Sequence, residues 1–174
     1  MASLFNWFFK TTDADFYLTE QAGIDAVDRL IEVVDGKLCD RVRLQLMTAD
    51  TVYEDGNIRV TPFPTQHLAH AGRPAYSYLV EADGKKVLFS GDLSGRLEKD
   101  DFPAYALENE VELMVCEMAH FNVEHVAPYL EKCKAKELLF THVSPIRKLD
   151  EINALNGKYA YPIRTVDDGE EIIL

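Results

Sequence analysis

Positive charge is scarce in this sequence: 18 Lys and Arg stand against 30 Asp and Glu, a formal net charge of −12 at pH 7. That balance argues against nucleic-acid binding through bulk basic charge, although a small phosphate pocket needs only a few residues. Cysteine is almost missing. Cys39, Cys116 and Cys133 form an odd set without CxxC spacing, which reads as free thiols in a reducing compartment, not a disulfide framework. No apolar run approaches the ~18 residues of a membrane span. The N-terminal Leu4–Phe9 stretch is short, is interrupted by Asn6 and has no basic lead, unlike a secretory signal. The expected location is the cytoplasm. Histidine is also sparse. The five are His67, His70, His120, His125 and His142, so none precedes position 67.

What is present suits one globular domain over residues 1–174: 47% of residues are hydrophobic and 28% charged, enough for a core at this length. Residues 1–40 hold an aromatic segment with Phe5, Trp7, Phe8 and Phe9, able to form one face of a short helix, then a strand and a helix. Asp15–Leu18 reads as the strand. Thr19 is placed to cap a helix whose apolar residues Ile24, Val27, Leu30, Ile31 and Val34 recur at helical spacing, with Asp35-Gly36 as its stop. From residue 41 the period changes to two. Val42, Leu44 and Leu46 share one face of a strand, opposite Arg43 and Gln45. Hairpins turn at Asp55-Gly56-Asn57 and Asp83-Gly84, and Pro62 and Pro64 are expected to stop the strand between them. A β-α-β-α-β series follows: strand Val111–Cys116, helix Val123–Cys133, strand Glu137–Phe140, helix Ile146–Leu155 and strand Ile163–Val166. A last short strand is expected at Glu171–Leu174. Strands first and alternation later predict an α/β protein with two mixed sheets and outer helices.

The most informative stretch is PTQHLAHAGRPAYSYLVEADGKKVLFSGD, residues 64–92. His67 follows a strand end, and Asp92 follows the KKVLFSG strand, where Gly91 lets the backbone turn sharply. A second strand, LLFTH, ends at His142. Histidine and carboxylate side chains, both metal-donor types, are thus offered at a sheet edge and not buried within it. These residues resemble the later half of a metallo-β-lactamase-fold hydrolase: a histidine before a strand pair, an aspartate after an apolar-SGD strand, and a last histidine ending a later strand. The family's earlier His-x-His-x-Asp-His motif is not in this sequence.

The resemblance implies a partial αββα sandwich and a metal site in which His67 serves one ion, Asp92 bridges two and His142 serves the other. Zinc is the default, with manganese and iron also suited to such donors. His70 is a second candidate in the His67 loop. In CEMAHFNVEH, the resemblance to the phosphodiesterase and RNase Z-like branch makes His120 a general acid and Glu117 the residue orienting its ring. The competing reading is a structural histidine at a helix entry, and His125 is an ordinary helix residue. The implied activity is metal-dependent hydrolysis of an ester, amide or phosphodiester, in a truncated form with an incomplete metal site. The alternatives are a site completed by another chain and a non-catalytic binding or assembly module. An uncovered edge of the Val42–Phe63 sheet predicts a homo-oligomer or a complementing chain.

Overall fold

The computed structural model describes residues 13–37 and 40–174. The aromatic segment at residues 1–10 and Cys39 lie outside the described residues. Backbone contacts divide the chain into two compact units, Met1–Val52 and Tyr53–Leu174.

The first unit holds β1 (Ala14–Leu18), α1 (Gln21–Asp35) and β2 (Val42–Leu46). The strands pair in parallel, with Asp15 opposite Arg43. The Asp15 carboxylate accepts bonds from Arg43 Nε at 2.7 Å and from Gln45 Nε2 at 2.7 Å, so the polar face of β2 supplies the partners of β1. The helix starts later than expected. Its N-cap is Glu20, without a side-chain capping bond, and Thr19 lies one residue outside it. Gly36, at φ 79°, closes the helix by donating its N–H to Glu32 O.

The second unit is built on a seven-stranded sheet in the order β3-β4-β5-β6-β7-β8-β9. These are β3 (Tyr53–Glu54), β4 (Ile58–Thr65), β5 (Ala75–Ala82), β6 (Lys85–Phe89), β7 (Leu113–Met118), β8 (Leu138–Val143) and β9 (Ile163–Thr165). Pairing is antiparallel from β3 to β6 and parallel from β6 to β9. Three helices accompany them: α2 (Tyr105–Glu108), α3 (Val123–Leu130) and α4 (Lys148–Asn153). The core gathers Leu88, Met114, Cys116, Met118, Leu138 and Phe140 from the strands with Val126, Leu130 and Ile152 from the helices. Leu113 and Leu139 are buried as well, so β7 and β8 are covered on both faces, which explains their continuous apolar runs. Cys116 and Cys133 are free and buried, and burial pushes both thiols above the ordinary range.

Three further expectations about the strands need correction here. The prolines do not stop β4, which runs through Pro62 and Pro64 to Thr65 paired throughout with β5. Alternate residues point their N–H positions to the same side. Because β3 covers only Arg59 and Val60, both prolines can face the open edge without removing a donor from β5. Residues Val42–Phe63 do not share a sheet: β2 pairs with β1, and the hairpin belongs to the second sheet. Glu171–Leu174 forms no strand. Among the described residues, no helix is long and apolar enough to cross a membrane.

β4 and β6 are each antiparallel to β5, so they point the same way, and β7 and β8 run parallel to β6. The C-terminal ends of all four strands therefore meet at one end of the sheet. Open sheets bind their ligands beyond such ends.

Candidate metal centre

Each donor reaches this end by its own local device. His67 lies in the turn between β4 and the 3-10 turn Ala69–Ala71. Its Nδ1 sits 3.0 Å from Leu93 O. Donation to that carbonyl fixes the tautomer and leaves Nε2 as the free lone pair, the usual orientation of a metal-ligating imidazole.

Asp92 is placed by the Ser90-Gly91 exit from β6. Ser90 extends the parallel ladder, with its N–H on Val115 O at 2.9 Å. Its hydroxyl donates to Gly91 O and accepts from Glu117 N at 3.0 Å. Gly91 takes φ 59°, and a Cβ there would lie 2.3 Å from Tyr76 O. Only glycine lets the backbone pass so close to β5. A buried carboxylate then ties the two donor loops together: Asp101 accepts from Gln66 N, beside His67, and from Ser94 N, both at 2.7 Å.

His142 does not end its strand. Thr141 pairs with Glu117 and Val143 with Met118, so His142 is the extra residue of a β-bulge, at φ 49°. Bulges of this kind re-aim a side chain beside a site. Here the bulge brings His142 Nδ1 to 3.3 Å from Asp92 Oδ1. On the other side of the same carboxylate, His67 Nε2 lies 3.8 Å from Oδ2.

Glu117 and His120 complete the cluster. The Glu117 side chain is 3% exposed. Its Oε1 accepts from Leu93 N at 2.9 Å and pairs with His120 Nδ1 at 2.8 Å, and its Oε2 accepts from Ala119 N and His120 N. With two donors on each oxygen, the carboxylate holds the turn and is not free to take an ion. It keeps the proton of His120 on Nδ1 and leaves Nε2 open. The His120 ring lies between those of His67 and His142, with centroids 4.5 and 5.6 Å away.

The donor set fits a divalent cation. One donor atom from each of His67, Asp92 and His120 lies within 4.8 Å of the others. Two donors on one tetrahedral zinc, each about 2 Å from the ion, sit roughly 3.3 Å apart, so the spacings of Asp92 to its two histidines are those of co-ligands. The two oxygens of Asp92 face different histidines, Oδ1 toward His142 and Oδ2 toward His67.

His70 is not part of this cluster. It lines a neighbouring cleft of about 260 Å³ with Gln66, His67, Ser94 and Glu98. His125 is structural, since its Nδ1 accepts from Asn122 N in the capping box of α3. Sequence reasoning missed Ser90, Asp101 and Lys148. Ser90 is in the SGD motif and was within reach. Asp101 and Lys148 carry no local signal, because their partners come from distant loops.

Fold and site together define an α/β protein of the metallo-β-lactamase fold with a histidine–carboxylate cluster able to hold metal. The chain belongs to the beta-lactamase superfamily domain family, which it matches over residues 3–143. Among curated proteins, none matches its sequence significantly. Solved structures share the fold at low identity. Zn²⁺-bound PqqB from Methylobacterium extorquens is 13% identical with a TM-score of 0.66, over 97% of this chain and 67% of that one. The metallo-β-lactamase fold protein YhfI from Bacillus subtilis is 13% identical with a TM-score of 0.63, over 98% and 83%. The short form of human tRNase Z is 16% identical with a TM-score of 0.59, over 85% and 68%.

Proposed function

We propose that this chain is a metal-dependent hydrolase of phosphodiesters in which His120 protonates the leaving group. The observation that carries this reading is the Asp92 carboxylate set between His67 and His142, with the Glu117-anchored His120 ring beside it. His67, Asp92 and His142 would hold the metal. Zinc suits these donors best, with manganese and iron as further candidates; when bound, it supplies Lewis-acid polarisation of the scissile group and activates water. The open ligand positions are left to water, substrate or a complementing chain.

The chain's own residues perform the proton transfer. Glu117 holds Nδ1–H of His120, so the ring cannot turn over. Its Nε2, when protonated, gives a proton to the leaving oxygen as the phosphorus–oxygen bond breaks. The cleft beside His67 offers room for one substituent of the phosphate. The likeness to tRNase Z and to Zn²⁺-bound PqqB supports a metal-dependent reading, and an acid catalyst suits a diester with a poor leaving group.

The test is elemental analysis of the full chain dialysed after exposure to zinc, beside Asp92→Ala and His142→Ala. About one to two equivalents are expected in the parent, falling well below half of that in both variants. Asp92→Ala is expected to lose more, because its carboxylate faces both histidines. Metal far below one equivalent, unchanged by either substitution, would sink the hydrolase reading and leave a binding or assembly module on this fold.

A further inference from the structure

Lys148 is a buried lysine, 4% exposed, on the first residue of α4. Its ammonium donates to Met118 O at 2.8 Å, Ala119 O at 3.1 Å and Phe121 O at 2.6 Å. An ammonium has three N–H donors, and all three are used on the turn that carries His120. A charged group is buried only where it is fully bonded, so the turn and the lysine hold each other in place. Glu117 grips the same turn from the opposite polarity. Its carboxylate takes the amides of Ala119 and His120, while Lys148 takes the carbonyls of 118, 119 and 121. The imidazole is held through the backbone on both sides of its own residue.

We infer that Lys148 is a positioning residue for the reaction: it fixes the turn 118–121 so that the His120 ring stays aimed at the leaving group. This rests on the proton-donor role proposed above. Lys148 touches neither substrate nor the donor atoms, and it acts only through the turn. Its effect should therefore be confined to the step in which His120 takes part.

Leaving-group dependence separates that step from general damage. A p-nitrophenolate ion departs without a proton, whereas the alkoxide leaving group of a dinucleotide needs one. The zinc-loaded full chain is assayed on bis(p-nitrophenyl) phosphate and on a dinucleotide, with Lys148→Met, Lys148→Arg and His120→Ala alongside. Lys148→Met keeps the aliphatic stem and removes the donors. It is expected to lower kcat on the dinucleotide by about 10²-fold, the usual worth of a positioned acid. The aryl diester should change by no more than about threefold. Lys148→Arg, which retains donors, is expected to restore part of the dinucleotide rate, and His120→Ala to reproduce the selective loss. Equal losses on both substrates in Lys148→Met, or no loss where His120→Ala shows one, overturn the inference.

Amide hydrogen exchange of the metal-free protein gives an independent reading. Lys148→Met should exchange faster at Ala119 and His120 with the centre of β7 unchanged; unaltered exchange there overturns the inference. If His120→Ala shows no leaving-group selectivity, it is the proton-donor reading that fails, and the exchange result alone then decides whether Lys148 fixes the turn. Should the methionine variant not fold, Lys148→Gln, shorter and with two N–H donors in place of three, is expected to show a smaller loss confined to the dinucleotide, and equal losses on both substrates overturn the inference.

Discussion

Gly91→Ala is expected to lower the unfolding free energy by about 3 kcal/mol or more and to abolish stoichiometric metal binding. Two costs combine at this position. A φ of 59° is unfavourable for any residue with a Cβ, by roughly 1–2 kcal/mol. The added carbon would also stand 2.3 Å from the carbonyl oxygen of Tyr76. That oxygen belongs to the backbone of β5, which is paired with both β4 and β6, so it cannot swing aside as a flexible side chain would. Relief must come from moving the β6 exit, and Asp92 is the next residue. Urea unfolding measures the first effect and metal analysis the second. A loss below about 1 kcal/mol, with metal retained, would mean that the exit adjusts freely and that glycine is incidental there.

Glu117→Gln is expected to cost about 3 kcal/mol of stability and about 10²-fold in turnover of a diester with a poor leaving group. The carboxylate serves three backbone amides and one imidazole. An amide keeps one acceptor oxygen and turns an NH₂ toward the remaining donors, which leaves buried N–H groups unpaired. His120→Ala makes the informative comparison. It removes only the ring, so it should match the loss of turnover while losing much less stability. If Glu117→Gln unfolds at the same urea concentration as the parent, the carboxylate is not organising the turn, and the account of this site is wrong.

The fold and part of the candidate site were legible because apolar strand patterns give out at or near the donors. KKVLF followed by SGD marks a strand exit by hydropathy and glycine, and LLF followed by TH marks the end of the apolar run, although β8 continues through a bulge to Val143. The family resemblance then singled out His67, Asp92 and His142 as candidates among those ends. What local pattern could not show depends on pairing between strands. The four donors on Glu117 come from residues 93, 119 and 120, which meet only because β6 and β7 run in parallel. Lys148 reads as a surface lysine on a short polar helix until the carbonyls of residues 118, 119 and 121 close around it. The bulge at His142 needs Glu117 and Met118 as its ruler. Pro62 and Pro64 misled for the same reason: a proline ends a strand only if both of its edges are needed, and β3 is too short to need the second.

The metal donors His67, Asp92 and His142, and His120 beside them, come from four different strands of the sheet: the exits of β4, β6 and β7 and the bulge in β8. His67 and Asp92 meet through the antiparallel pairs β4–β5 and β5–β6, and His120 and His142 join them only once the parallel pairs β6–β7 and β7–β8 have formed. Such non-local pairings come late, because their loops must close first. A cation therefore has little to hold in the folding transition state and much to hold in the native one. It should leave the refolding rate of the 53–174 unit unchanged and slow its unfolding in proportion to affinity. Stopped-flow refolding and unfolding with and without zinc would show this as a shift confined to the unfolding limb, and faster refolding with metal would place the site among the first parts of the sheet to form. A metal held there would be a latch on a finished structure, not a template for building it.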